Sequence, residues 1–186
     1  MPILSADSMF EVYKQHWETP RGFLGLTEQF CNVSHFLCRL RTQLRYGELT
    51  RSSLKLLRLQ ISEDTLECDW LAREADRWDT DLPKRVRRRH TSLQTLHDAI
   101  DVRSLIFRTF PGIDAASLRI YRDSEESGHE LIVTGFVHRN DHSSRWVHSL
   151  AMRAKNLGFR FHLQDENLCC LPGDNTPVTS MRFEMH

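Results

Sequence analysis

Residues 31–38 read CNVSHFLC and place Cys31, His35 and Cys38 within one expected helix. Thiolate and imidazole are the usual ligands of zinc, so this set has the chemistry to hold a metal. At about 100° per residue the three share one face, roughly opposite the apolar stripe of Val33, Leu40 and Leu44. Cys31 and Cys38 stand seven residues apart, about 10.5 Å along the axis at ~1.5 Å per residue. Two thiolates on one zinc sit roughly 4 Å apart, so at most two of the three side chains can share an ion. Free cysteine is among the most buried residue types, and packing against another element is the expected role of this face.

A second pair is His162 with Cys169. In the hairpin formed by GFRFHL and LCCL around Gln164 to Asn167, Cys169 stands across from His162 on one sheet face, and Cys170 faces Phe161 and the core. Histidine beside a thiol lowers its pKa and makes a nucleophile. No third orienting group and no Gly-rich oxyanion loop accompany the pair, so ordinary strand residues are expected here. In HRNDHSSRWVH, residues 138–148, His142 and His148 lie about 120° apart on a helix and do not converge. Asp141 or Ser143 is the expected N-cap there, with Arg139 and His142 near enough to assist an anion at the helix start.

The strongest charge feature is KRVRRRH, residues 84–90. Lys84, Arg87 and Arg88 point outward on a helix, with Arg85 and Arg89 flanking its apolar stripe. Such a run can clamp phosphates, and Arg39, Arg41 and Arg45 offer a second basic face. The acidic segment from Glu63 to Asp81 directly precedes it, so internal neutralisation competes with polyanion binding. The helix macrodipole disfavours cations at this end, so their placement there asks for another reason.

Globally the charges cancel, with 25 Lys+Arg against 25 Asp+Glu, so any attraction to nucleic acid or anionic membrane is local. Walker A, GxGxxG, HExxH, GxSxG and zinc-finger spacings are all missing, and no cofactor is expected. Apolar runs are far shorter than the roughly 20 residues that span a bilayer. The opening residues lack a basic stretch followed by an apolar one, and the five cysteines show no CxxC spacing. A cytoplasmic, soluble protein is the expectation.

Three amphipathic helices must position these residues: Thr27 to Tyr46 capped by Gly47, about Pro83 to Thr109 with Asp81 as N-cap, and about Ser143 to Leu157 closed by Gly158. Ser8 to Trp17 suggests a shorter one before them. Strands come in pairs between the helices. In LLRLQI-SEDT-LECDWL alternation sets Ile61 opposite Leu66, Leu59 opposite Cys68 and Leu57 opposite Trp70, with Arg58 beside Asp69 and Gln60 beside Glu67. SLRIYRD with HELIVTGFV makes a second hairpin and the His162–Cys169 segment a third.

The expected fold is α+β: an antiparallel sheet of hairpins with helices mainly on one face, in a helix-strand-strand order that recurs three times. One compact unit over residues 1–186 is expected, with READRWDTD near 72–83 as the best internal linker. Three functions follow. The first is a non-catalytic, regulatory domain working through protein contacts or self-association, by an exposed strand edge or the tail residues Met181, Phe183 and Met185. The second is binding of RNA or DNA through the basic helix. The third is a thiol or metal enzyme with an unfamiliar site.

Overall fold

In a computed structural model, residues 20–44, 47–62, 64–124, 128–141 and 147–172 are described, with side chains from residue 30 onward. Ser8–Trp17, Arg45, Trp146 and the tail residues Met181, Phe183 and Met185 lie outside these. Helix α1 runs Pro20–Gln43 and is followed by β1 (Lys55–Ser62) and β2 (Thr65–Leu71). A 3-10 turn at Arg77–Asp79 leads into α2 (Lys84–Thr109), then β3 (Ala115–Ser124) and β4 (Gly128–His138). Helix α3 (Leu150–Asn156), β5 (Phe159–Gln164) and β6 (Asn167–Cys169) complete the order.

All six strands join one sheet in chain order, β1 to β6. Four of the pairings are antiparallel, but β2 and β3 run parallel from Thr65↔Ala115 to Leu71↔Tyr121. The purely antiparallel expectation fails here because the stretch between them contains a whole helix, and a crossover of that length returns the chain in the same direction. Nor do three equivalent helix-strand-strand units appear. The 3-10 turn intervenes, and the helices span 24, 26 and 7 residues.

The first hairpin keeps the expected register from Arg58↔Asp69 to Ile61↔Leu66, then shifts so that Leu56, not Leu57, pairs with Trp70. A bulge inserts one residue and turns the next side chain to the opposite face. Leu57 accordingly packs against Leu71, Tyr121 and Leu131. That small cluster contains no helical residue, whereas the main core gathers all three helices with Trp70, Leu118, Ile120, Val133 and Leu168. The helices thus cover one face of the sheet.

Helix α2 is the centre of the molecule. From Leu96 to Phe107 it is buried almost all round, against α1 through Phe36 and Phe110 rings 5.6 Å apart and against the sheet. Its N-cap is Pro83, with no side-chain cap bond, and not Asp81. Proline suits the place because its fixed φ leads into the helix. Gly47 is not the cap of α1, which ends four residues earlier at Gln43. Its amide donates to Thr50 O at 2.8 Å, and a Cβ there would fall 2.4 Å from the Gln94 side chain. Close approach, not left-handed geometry, is why glycine occupies it.

Helix α3 is shorter than the periodicity of 143–157 suggests. Val147 to Ser149 are not helical, and Ser149 is the cap, its Oγ accepting from Met152 N at 3.5 Å. Gly158 ends the helix as expected, with φ of 90°.

Candidate functional site

A cleft of about 890 Å³ opens on the helix-covered side, between the first turns of α2, the ends of β3 and β4, and the β5–β6 hairpin. Lys84, Arg87, Arg88 and Thr91 come from α2, Arg122 from β3, and Asn167 from β6. Its volume lies within the range of roughly 300–1,000 Å³ typical of ligand sites.

Among the described residues the acidic stretch before α2 makes no ion pair with this rim, and the carboxylates that line the cleft are Asp123, Glu130 and Asp165. Glu67 and Asp69 bind Arg58 and Arg119 on the sheet, with Arg119 Nε 2.9 Å from Asp69 Oδ1. Glu74 meets Lys55 at 3.5 Å, and Asp76 accepts the backbone N–H groups of Arg51 and Trp78. Within the cleft, Arg122 pairs with Glu130 at 2.8 Å, and outside it Arg89 pairs with Glu166 at 3.0 Å. Among the described residues, Lys84, Arg85, Arg87 and Arg88 form no ion pair. Lys84 stands three positions from Arg87 and four from Arg88, and Arg85 three from Arg88, spacings at which like charges on a helix repel. The uncapped positive end of α2 adds to the same potential. A phosphate or carboxylate at this place relieves both.

Among the described residues, two buried polar atoms of cleft-lining residues have no partner: the donor Arg87 Nε and the acceptor Asn167 Oδ1. The neighbouring turn is tight, because Gln164 pairs directly with Asn167 and both residues between them, Asp165 and Glu166, adopt positive φ of 50° and 65°. A two-residue turn with both φ positive matches strand twist but normally uses Asn and Gly. This non-glycine pair therefore carries strain at the mouth of the cleft.

Cys169 lies opposite His162, as expected, and also lines the cleft. Its thiol reaches Gln164 Oε1 at 3.9 Å and Asn167 O at 3.7 Å, with no bond to His162 among the described residues. Cys170 lies beyond the end of β6 and is exposed, not turned into the core as expected. Cys31, His35 and Cys38 share the outer face of α1, but that face is open to solvent and packs against no other element among the described residues. Among the described residues no three His, Cys, Asp or Glu side chains converge as an ion would require. Cys68 is fully buried on the core face, where burial, with Asp69 adding to it, pushes its thiol far above the usual range. Iodoacetamide should therefore label Cys31, Cys38 and Cys170 in the folded protein and spare Cys68 until it unfolds, a contrast that peptide mapping reads directly.

Arg139 is committed elsewhere. Its guanidinium donates to the carbonyls of Phe107 and Phe110 at 2.6 Å each and to Ile113 O at 2.7 Å, closing the C-terminal end of α2. That removes it from the anion site expected near residue 142 and uses its charge where the helix dipole is negative. Arg39 and Arg41 sit on α1 away from the cleft. No local pattern in the sequence marks Arg122, Thr91 and Asn167. They come from separate elements, and only the pairing of β3 to β6 brings them beside α2.

No family model, curated protein or solved structure matches the chain. No helix among the described residues is long and apolar enough to cross a membrane.

Proposed function

We propose that this protein binds nucleic acid through the sugar-phosphate backbone, with the cleft beside α2 as the seat. The observation that supports it is the set of cations Lys84, Arg87 and Arg88 on the wall of one concave site, without an ion pair among the described residues although an acidic segment precedes them in the chain. Among the described residues no aromatic side chain lines the cleft, which favours the backbone over stacked bases as the bound part. Five free thiols, with only Cys68 buried, fit a reducing cytoplasm as the working compartment.

Fluorescence anisotropy of a labelled single-stranded oligonucleotide tests the proposal. With about three phosphates engaged, log K should fall with log salt at a slope of roughly −2. An unchanged anisotropy at low salt would defeat it. A second reading, protein contact or self-association, is favoured by Trp78, 82% exposed on the 3-10 turn, and by the open edge of β1. Light scattering on the same samples separates the two: a dimer that ignores nucleic acid supports the second.

A further inference from the structure

We infer that the cleft selects RNA over DNA by accepting a ribose 2′-hydroxyl proton on Asn167 Oδ1. The inference rests on the nucleic-acid reading and adds the class of strand. Asn167 Nδ2 donates to Asp165 O at 3.2 Å, which fixes the orientation of the amide and identifies Oδ1 as the free atom. That oxygen is buried, has no donor among the described residues and belongs to a residue that lines the cleft.

The chemistry of the two backbones then decides. Phosphate oxygens and the sugar ring oxygen are acceptors, so a deoxyribose-phosphate strand offers an unpaired carbonyl nothing to accept. Ribose has one donor, the 2′-hydroxyl, and this is the group by which proteins tell the two strands apart. Arg87 Nε is the complementary case: a buried donor without an acceptor, on a side chain whose charge suits the phosphate beside that ribose. One nucleotide of RNA, through its phosphate and its hydroxyl, presents an acceptor and a donor to the two atoms the cleft leaves unmatched. The oxygen is shielded from bulk solvent, so the strand must shift the cover over it. The strained turn at Asp165 and Glu166 adjoins it directly.

Three labelled oligonucleotides of one sequence test this on the full chain: RNA, DNA, and RNA carrying 2′-fluorine. Fluorine keeps the ribose pucker and removes the donor. The wild-type protein should bind RNA about five- to tenfold more tightly than either of the others, the usual worth of one such hydrogen bond. Asn167→Ala should bring the ratio of RNA to DNA affinity to about one. Equal wild-type affinity for RNA and 2′-fluoro RNA overturns the inference and leaves the nucleic-acid reading in place. So does an RNA preference that survives Asn167→Ala. Failure to bind any of the three at low salt removes the reading and the inference together. The fluorinated strand needs no variant, so a misfolded Asn167→Ala would not block the test.

Discussion

Arg73→Ala lowers the unfolding free energy by about 3–5 kcal/mol, the cost of leaving one member of a buried ion pair alone. Arg73 and Asp98 are almost completely buried, and Arg73 Nε donates to Asp98 Oδ2 at 2.8 Å. The rest of the guanidinium is used as well, donating to Ser52 O at 2.8 Å and to Leu44 O. Gln94 Nε2 donates to the other Asp98 oxygen at 2.8 Å, and Gln94 Oε1 accepts from Leu49 N at 2.9 Å. One network therefore ties the end of α1, the loop into β1, the exit from β2 and the middle of α2. For a chain of this size the melting temperature should fall by roughly 10 °C, measured by calorimetry.

The loss should also depend on pH. Burial pushes the Asp98 carboxyl above its ordinary range, while Arg73 and Gln94 draw it back down. Burial already outweighs these two partners in the wild type; without Arg73 the carboxyl rises further, and the folded variant holds a proton that the unfolded chain releases near the usual carboxylate value. A raised folded pKa contributes stability below the unfolded pKa and loses it as pH rises through the folded one. The gap between variant and wild type should therefore be narrower near pH 4 to 5 than near pH 8. Replacing both partners, as Arg73→Met with Asp98→Leu, should recover a large part of the loss, since no lone charge remains. A single variant with wild-type stability at neutral pH would show that the pair anchors nothing.

None of this network was legible in the sequence, where Arg73 fell inside the stretch read as a linker. Alternation of side chains is a local signal, and so the register from Arg58 to Ile61 could be read from the letters alone. The ion pair joins residues 25 positions apart, and nothing in the local pattern of either residue marks the other. The direction of β3 relative to β2 escaped for a related reason: it is fixed by how α2 crosses the sheet, not by either strand. In the third helix the apolar period continues through Val147, but Ser149 provides the cap three residues before Met152 and the helix starts there. Cys31, His35 and Cys38 were correctly placed on one face, yet whether another element covered that face depended on packing that periodicity does not encode. The same division holds at the cleft. Composition identified the basic run, while its freedom from the acidic segment became visible only when Asp69 and Glu74 were seen to have other partners.

That freedom sets the size of the second effect. Each cation that neutralises a phosphate contributes to log K in proportion to the logarithm of salt concentration, with a coefficient of about 0.7 for a single strand. At roughly 0.1 M salt one lost contact therefore costs about fivefold, and two cost about 25-fold. Arg87→Glu with Arg88→Glu goes further, because each carboxylate also repels the strand, and a loss of more than about 100-fold is expected in anisotropy titrations. The slope of log K against log salt should become shallower by roughly 1.4 in the same variant. Stability should hold or improve slightly, because both side chains stand near the positive end of α2, where acidic residues are favoured and neighbouring cations repel. Loss of binding in a protein that melts no lower than wild type would place the effect in the cleft. Retained affinity and an unchanged salt slope would show that the phosphates lie elsewhere and that the basic run is only a solvated face.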